Sequence, residues 1–235
     1  MRDRAQRVAP PRDFLGALRV AGFAVIAEIK RASPAAGKIS DDLDAAALAR
    51  RYVAGGAQAL SVWTDARYFN GTPDLLRQMR AAVAAPVLRK DFILEPYQVY
   101  ESRAIGADAV LLIAALLDVP VLRGLIDLCA DLGMAAAVDA HREVDVDRAV
   151  AAGARAIFIH NRDVGTFDVD IDKTVRFRRR IPSGILVVSE SGIGTPADIA
   201  RLRGHVDGVL VGTALMASPD PEATVRALLT AGSRA

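Results

Sequence analysis

The chain has 235 residues, with 30 Lys and Arg against 28 Asp and Glu and a formal net charge of +2 at pH 7. That near balance, with only 5% aromatic residues and no basic block among them, disfavours a nucleic-acid partner and leaves a small anionic ligand compatible. One cysteine, Cys129, rules out an internal disulfide framework and fits a reducing, cytoplasmic compartment. The opening MRDRAQRVAPPRDF lacks a long apolar stretch and no run approaches transmembrane length, so neither a signal peptide nor a membrane anchor is expected. Cys129 itself lies in an apolar helical pattern and reads as a small buried hydrophobe.

From residue 24 onward, short apolar runs alternate with longer stretches of helical period. AVIAEI starts at Ala24 and is followed by a helical pattern over 45–54. ALSVW from Ala59 precedes 73–82, and PVLR from Pro86 precedes 96–105. AVLLI from Ala109 leads to 119–132, and AAAVD from Ala135 to 143–152. AIFIH starts at Ala156. ILVVSE from Ile185 precedes 196–203, and GVLVG from Gly208 precedes 221–229. Gly-Ala pairs at 56–57, 106–107 and 153–154 suit helix C-caps that return the chain to a strand. Pro96, Pro196 and Pro221 sit where a first helical turn tolerates proline.

Nearly continuous apolar strands imply a parallel sheet covered by helices. Eight of them close a barrel, so the predicted fold is α/β, a single (β/α)₈ TIM barrel over 24–235. Residues 1–23 form a shortened N-terminal extension with one short helix over 14–20. A doubly wound open sheet is the alternative. No linker or low-complexity stretch divides the chain, which reads as one domain over 1–235.

In such a barrel the residues that end each strand face the active site. These are Glu28 and Lys30, then Thr64, then Lys90, Asp91 and Phe92. Asp139 and His141 follow, then His160, Asn161, Arg162 and Asp163. Ser189, Glu190, Ser191 and Gly192 come next, and Gly212 and Thr213 last. Any one of them could be a strand-end cap or salt bridge. Polar groups from so many strands converging on one mouth are better explained by catalysis. The glycine segments 191–195 and 212–214 fall where this fold often binds phosphate with backbone N–H groups. Gly192 to Ala197 also fits a G-x-G-x-x-A dinucleotide fingerprint, but it lies late in the chain and lacks an acid after the next strand. Lys30 and Lys90 end inward-pointing strands; burial would lower their basicity, and a neighbouring Glu28 or Glu190 would raise it.

IAEIKRASP from Ile26, PVLRKDF from Pro86, GADAVLLI from Gly106 and SESGI from Ser189 resemble, in order and in register, the motifs of the indole-3-glycerol phosphate synthase family. The resemblance runs from about Ala24 to the C-terminus. It implies a lyase of tryptophan biosynthesis that needs no metal or organic cofactor. Such an enzyme closes 1-(o-carboxyphenylamino)-1-deoxyribulose 5-phosphate into an indole ring, losing carbon dioxide and water. It further implies Lys90 as general acid for ring closure, with Lys30 holding substrate oxygens and assisting dehydration. Glu28 and Glu190 would orient the lysines. Ser33, Ser191, Gly192, Gly212 and Thr213 would meet the phosphate end. Phe69, Phe92 and Leu111 would wall the aryl ring, and Arg162 would join the charge network. The implied partner is a small phosphorylated substrate, for a monomer or weak homo-oligomer.

The resemblance breaks at two neighbouring strands. Asp139 stands where the family carries Glu, a carboxylate shorter by about 1.5 Å. Misplacement by about 1 Å can cost on the order of a hundredfold in rate. His160 stands where the family carries Asn, which introduces a group able to titrate near neutrality. His160 could fill the space Asp139 leaves, take over a proton transfer, or simply pair with Asp139. These changes keep open a second reading, a diverged paralogue acting on a related arylamino sugar phosphate. A metal centre on Asp139, His141 and His160 is disfavoured by the nearby Lys90. A non-catalytic phosphate-binding barrel and a sugar-phosphate isomerase fit less well. The family's longer N-terminal extension, with a helix over the mouth, is expected to be curtailed here, loosening substrate enclosure.

Overall fold

A computed structural model describes residues 1–19, 22–39 and 43–233. Eight parallel strands form a closed barrel. They are β1 (Ala24–Ile29), β2 (Ala59–Trp63), β3 (Val87–Lys90) and β4 (Ala109–Ile113). β5 (Ala135–Ala140), β6 (Ala156–His160), β7 (Leu186–Glu190) and β8 (Gly208–Val211) complete it. Each strand pairs with its sequence neighbours, and β1 closes the ring against both β2 and β8. The strand pattern read from the sequence holds to within a residue or so at each end, and the open-sheet alternative is overturned by closure.

Strand side chains alternate between two faces, and here the faces have different fates. Val25, Ala27, Ile29, Val110, Leu112, Ile157 and Ile159 face outward into the layer shared with the helices. Ala24 and Ile26, Leu88, Ala137, Phe158, Val188 and Leu210 face inward and pack together. Two residues further along the same inward face come Glu28, Lys90, Asp139, His160 and Glu190. The barrel interior is therefore apolar at its N-terminal end and charged at its C-terminal end.

The expected helix over 14–20 spans Phe14–Arg19; Val20 lies outside the described residues. Phe14, Leu15 and Leu18 are buried against the inward residues that begin the strands. This helix therefore plugs the end of the barrel opposite the mouth. Preceding residues are strapped to the same end. Arg12 donates from its guanidinium to the Ala85 and Arg80 carbonyls, and from its backbone to Asp108. Arg103 holds the carbonyls of Val8 and Ala9.

The helices of 45–54, 73–82 and 96–105 form as expected. One was missed. Asp172–Arg178 follows β6, and its short charged sequence buries Thr174 and Phe177, too few positions to show a helical period. A small hairpin pairs Ala32–Ser33 with Gly37–Lys38 after β1. Cys129 is fully buried in Val119–Asp131, and burial pushes its thiol pKa up to about 12, as an inert packing residue.

Asp108, just before β4, is fully buried and ties three parts of this end together. It accepts from Arg12 N at 2.8 Å, Val87 N at 2.9 Å and Arg80 Nη2 at 3.0 Å. Asp108→Ala leaves a half-buried guanidinium edge and two N–H groups without their acceptor. It should lower unfolding free energy by about 3 kcal/mol in urea denaturation; an unchanged midpoint would refute this role.

Candidate active site

The centre of the mouth is Lys90. Its ammonium donates to both oxygens of Glu190, at 2.9 and 3.1 Å, and lies 3.3 Å from Glu28 Oε2. Glu28 Oε1 in turn accepts from Lys30 at 2.7 Å. All but Lys30 are buried, with Lys90 2% and Glu190 1% exposed. Burial alone would neutralise the lysine, but Glu190 and Glu28 outweigh it and raise its pKa. Burial likewise opposes ionisation of both carboxyls. Lys30 and Lys90 still hold Glu28 below the usual carboxylate range, and Lys90 and His160 do the same for Glu190. At Lys90 the competition left open by the sequence thus favours the charged form.

Register explains the next link. His160 and Glu190 are direct partners across β6 and β7, and His160 Nδ1 lies 2.8 Å from Glu190 Oε1. His160 Nε2 faces Ser191 Oγ at 3.0 Å. The suggested Asp139–His160 pair is not hydrogen-bonded: Asp139 Oδ1 stands 3.8 Å from His160 Nδ1. Asp139 instead engages His141, Oδ2 to Nε2 at 2.9 Å. Asp139 stops short of the imidazole on the next strand and turns to the one on its own. Among the described residues, Asp139 Oδ1 is the buried carboxylate oxygen without a hydrogen-bond partner.

Asp139, His141 and His160 offer one ligand atom each within 4.8 Å of one another. Yet the two rings stack, centroids 4.4 Å apart and planes 19° from parallel. A metal ion lies in the plane of each ligating imidazole, and nearly parallel, offset planes do not meet at a bond length from both nitrogens. As arranged, the trio suits proton exchange better than coordination.

The mouth has an aromatic wall. Phe69 stacks on Trp63 at 3.5 Å and 4°, and Phe92 tilts against Trp63 at 5.9 Å. The Lys90 ammonium sits 5.3 Å from the centre of the Trp63 ring. Trp63 was not anticipated, although its spacing of two and four from Ser61 and Ala59 would have put it on the inward face. Lys173 was also missed. It donates to the His160 carbonyl at 3.1 Å from the unanticipated helix. Leu111 lies in the inner apolar layer with Leu88 and Phe158, beneath the mouth.

Several strand-end residues point away. Thr64 and Asp91 bond each other and Arg89 outside the barrel wall. Asn161 and Ser189 bond each other and Thr174. Asp163 caps its own loop through Gly165 and Thr166. Thr64, Asp91, Asn161 and Ser189 are each one residue out of phase with an inward neighbour, and one residue reverses the face. Arg162 folds back to the Phe167 carbonyl at 2.6 Å, so the charge network assembled around Lys90 forms without it. Ser33 Oγ accepts from Ala36 N at 3.1 Å within the small hairpin.

The two glycine segments meet. A Cβ on Gly194 would come within 2.9 Å of Ala214 Cβ. Part of the expected phosphate cradle is already filled, because Asp198 accepts from Gly194 N and Thr195 N at 3.1 and 2.9 Å. Of the two expected segments, that leaves the turns at Ser191-Gly192 and Gly212-Thr213. Gly212 leaves room for the ion pair: a Cβ there would stand 2.5 Å from Glu28 Oε1 and 3.0 Å from Lys30 Nζ and would displace them.

His141 gives a pH test. Burial disfavours its charge, but Asp139 overrides this and raises its pKa. A raised pKa stabilises the fold fully below the unfolded value, about 6.5, and the contribution is lost as pH rises through the folded value. The stability difference between wild type and Asp139→Asn should therefore be larger at about pH 6 than at about pH 9. A difference that is flat or grows with pH would contradict the pairing.

Solved structures similar in shape include tryptophan synthase subunit alpha from Legionella pneumophila, with a TM-score of 0.66 at 16% identity over 93% of this chain and 97% of that one. Thiamine phosphate pyrophosphorylase from Pyrococcus furiosus has a TM-score of 0.66 at 17% identity over 91% and 96%. Likeness at that identity concerns the barrel alone. Sequence reaches further. An indole-3-glycerol phosphate synthase of Mycobacterium sp. (strain KMS) is 48% identical over 234 residues, 99% of this chain and 86% of the relative. One of Aromatoleum aromaticum is 47% identical over 97% and 89%. The family model for indole-3-glycerol phosphate synthase matches residues 1–228. With the strand-end lysines and glutamates brought to one mouth as the motifs imply, this match shows that the chain belongs to the indole-3-glycerol phosphate synthase family.

Proposed function

We propose that the protein closes 1-(o-carboxyphenylamino)-1-deoxyribulose 5-phosphate into indole-3-glycerol phosphate, releasing carbon dioxide and water. The observation that carries this reading is Lys90, a buried ammonium held between Glu28 and Glu190 at the mouth of a barrel of this family. Ring closure needs a proton where a carbonyl oxygen turns into a hydroxyl as the arene carbon attacks. Lys90 carries that proton. The oxygen's basicity climbs far above that of an amine as the new bond forms, so even a strongly held ammonium proton can pass to it. Loss of carbon dioxide from the attacking ring carbon then returns the electron pair to the ring system.

Dehydration needs an acid at the departing hydroxyl and a base for the ring proton. Lys30, the more exposed ammonium, serves the hydroxyl and the substrate oxygens. Asp139, with one buried oxygen unengaged, serves as base, with His160 beside it. Glu28 and Glu190 hold the lysines, and Trp63, Phe69 and Phe92 flank the aryl ring. Ser191, Gly192, Gly212 and Thr213 receive the phosphate. This reading includes a monomer or weak homo-oligomer acting in the cytoplasm, in keeping with the single cysteine. No described helix is long and apolar enough to cross a membrane.

A diverged paralogue remains the second reading, favoured by one observation: His160 is engaged by Glu190 and Ser191 and so alters the polar lining of the mouth. Turnover of the named substrate, followed by indole fluorescence, separates the two. Wild type should turn over, and Lys90→Ala should lower kcat about a thousandfold. Asp139→Glu, His160→Asn and the double change should stay within about a hundredfold of wild type. A silent wild type whose activity appears only in the double change would favour the paralogue.

A further inference from the structure

We propose that Ser191, His160 and Glu190 form an acyl-transfer triad that hydrolyses small activated carboxylic esters, an activity separate from ring closure. The geometry is that of a nucleophile, a base and an orienting acid. Ser191 Oγ lies 3.0 Å from His160 Nε2, and His160 Nδ1 lies 2.8 Å from Glu190 Oε1. Glu190 cannot swing away, because Lys90 holds both its oxygens. A carboxylate at Nδ1 assigns the proton to that nitrogen, so the Nε2 lone pair faces the serine. Asp139 Oδ1, 3.8 Å from Nδ1, adds a second negative charge where an imidazolium would form.

The backbone supports the same role. Ser191 directly follows β7 and has φ +72°, the left-handed region that a serine adopts only under constraint. Gly192 follows at φ +78°, and a Cβ there would lie 2.1 Å from Val169 Cγ1. A hydroxyl thrust forward on a strained turn at a strand end is how a nucleophilic serine is exposed on unrelated folds. Ser191 is half-buried, and the His160 side chain is 18% exposed, which limits the acyl group to a small one.

In the first step the Ser191 oxygen bonds to the ester carbonyl carbon, and its proton moves to His160 Nε2. The bond from that carbon to the alcohol or phenol oxygen breaks, and His160 returns the proton to the departing oxygen. Water then adds to the acyl-serine, giving up one proton to His160. The carboxylic acid leaves, and the serine regains that proton.

The test uses the full chain with p-nitrophenyl acetate, which carries neither phosphate nor arylamino group, so its result is independent of the ring-closure reading. Phenolate release is followed, and acid-quenched protein is mapped by mass spectrometry. An acetyl group on Ser191 is expected. Ser191→Gly suits the left-handed backbone and removes the hydroxyl; it should lose the adduct and the rate above background. His160→Asn should slow acylation about a hundredfold. Acetylation confined to lysines, or Ser191→Gly hydrolysing at the wild-type rate, overturns the proposal.

Discussion

The ammonium of Lys90, placed inside a barrel, is the constraint on which the rest of the mouth depends. A lone charge there would be neutralised or expelled by the cost of leaving water. Glu28 and Glu190 make it tolerable, and their own burial is tolerable only because of it. Each carboxylate has an oxygen engaged elsewhere. Glu28 fixes Lys30, and Glu190 fixes His160, which fixes Ser191. Even the backbone follows, since Gly212 carries no side chain where Glu28 and Lys30 need the space. The apolar layer below, closed by Phe14, Leu15 and Leu18, excludes water from the far end and keeps these interactions strong.

Much of this was legible in the sequence for a simple reason. Eight apolar runs with glycine and proline punctuation specify a barrel, and the ends of its strands specify a mouth. What was not legible turned on single residues. Thr64, Asp91, Asn161 and Ser189 lie beside inward residues yet face the helices, because reading strand ends as a group ignored the two-residue period. The same period would have placed Trp63 inside. Asp172–Arg178 escaped notice because it packs with one aromatic and a threonine. Arg162 could not be followed from sequence at all: its destination is a carbonyl in a loop whose course depends on the Arg162–Val169 bridge.

The two departures from the family pattern are coupled through charge more than through shape. Glu28, Glu190 and Asp139 against Lys30 and Lys90 leave one negative charge in excess before any histidine is counted. That excess favours a proton on His141, which Asp139 touches directly. The His141 and His160 rings stack. Asp139 thus pairs on its own strand and leaves Oδ1 buried without a hydrogen-bond partner. The imidazole at 160 is then governed by Glu190, the same carboxylate that holds Lys90. An amide in that position could accept or donate a hydrogen bond but could not exchange a proton. With histidine there, the proton on Lys90 and the hydroxyl of Ser191 are linked through one carboxylate and one ring, which gives this mouth a second place from which chemistry can start.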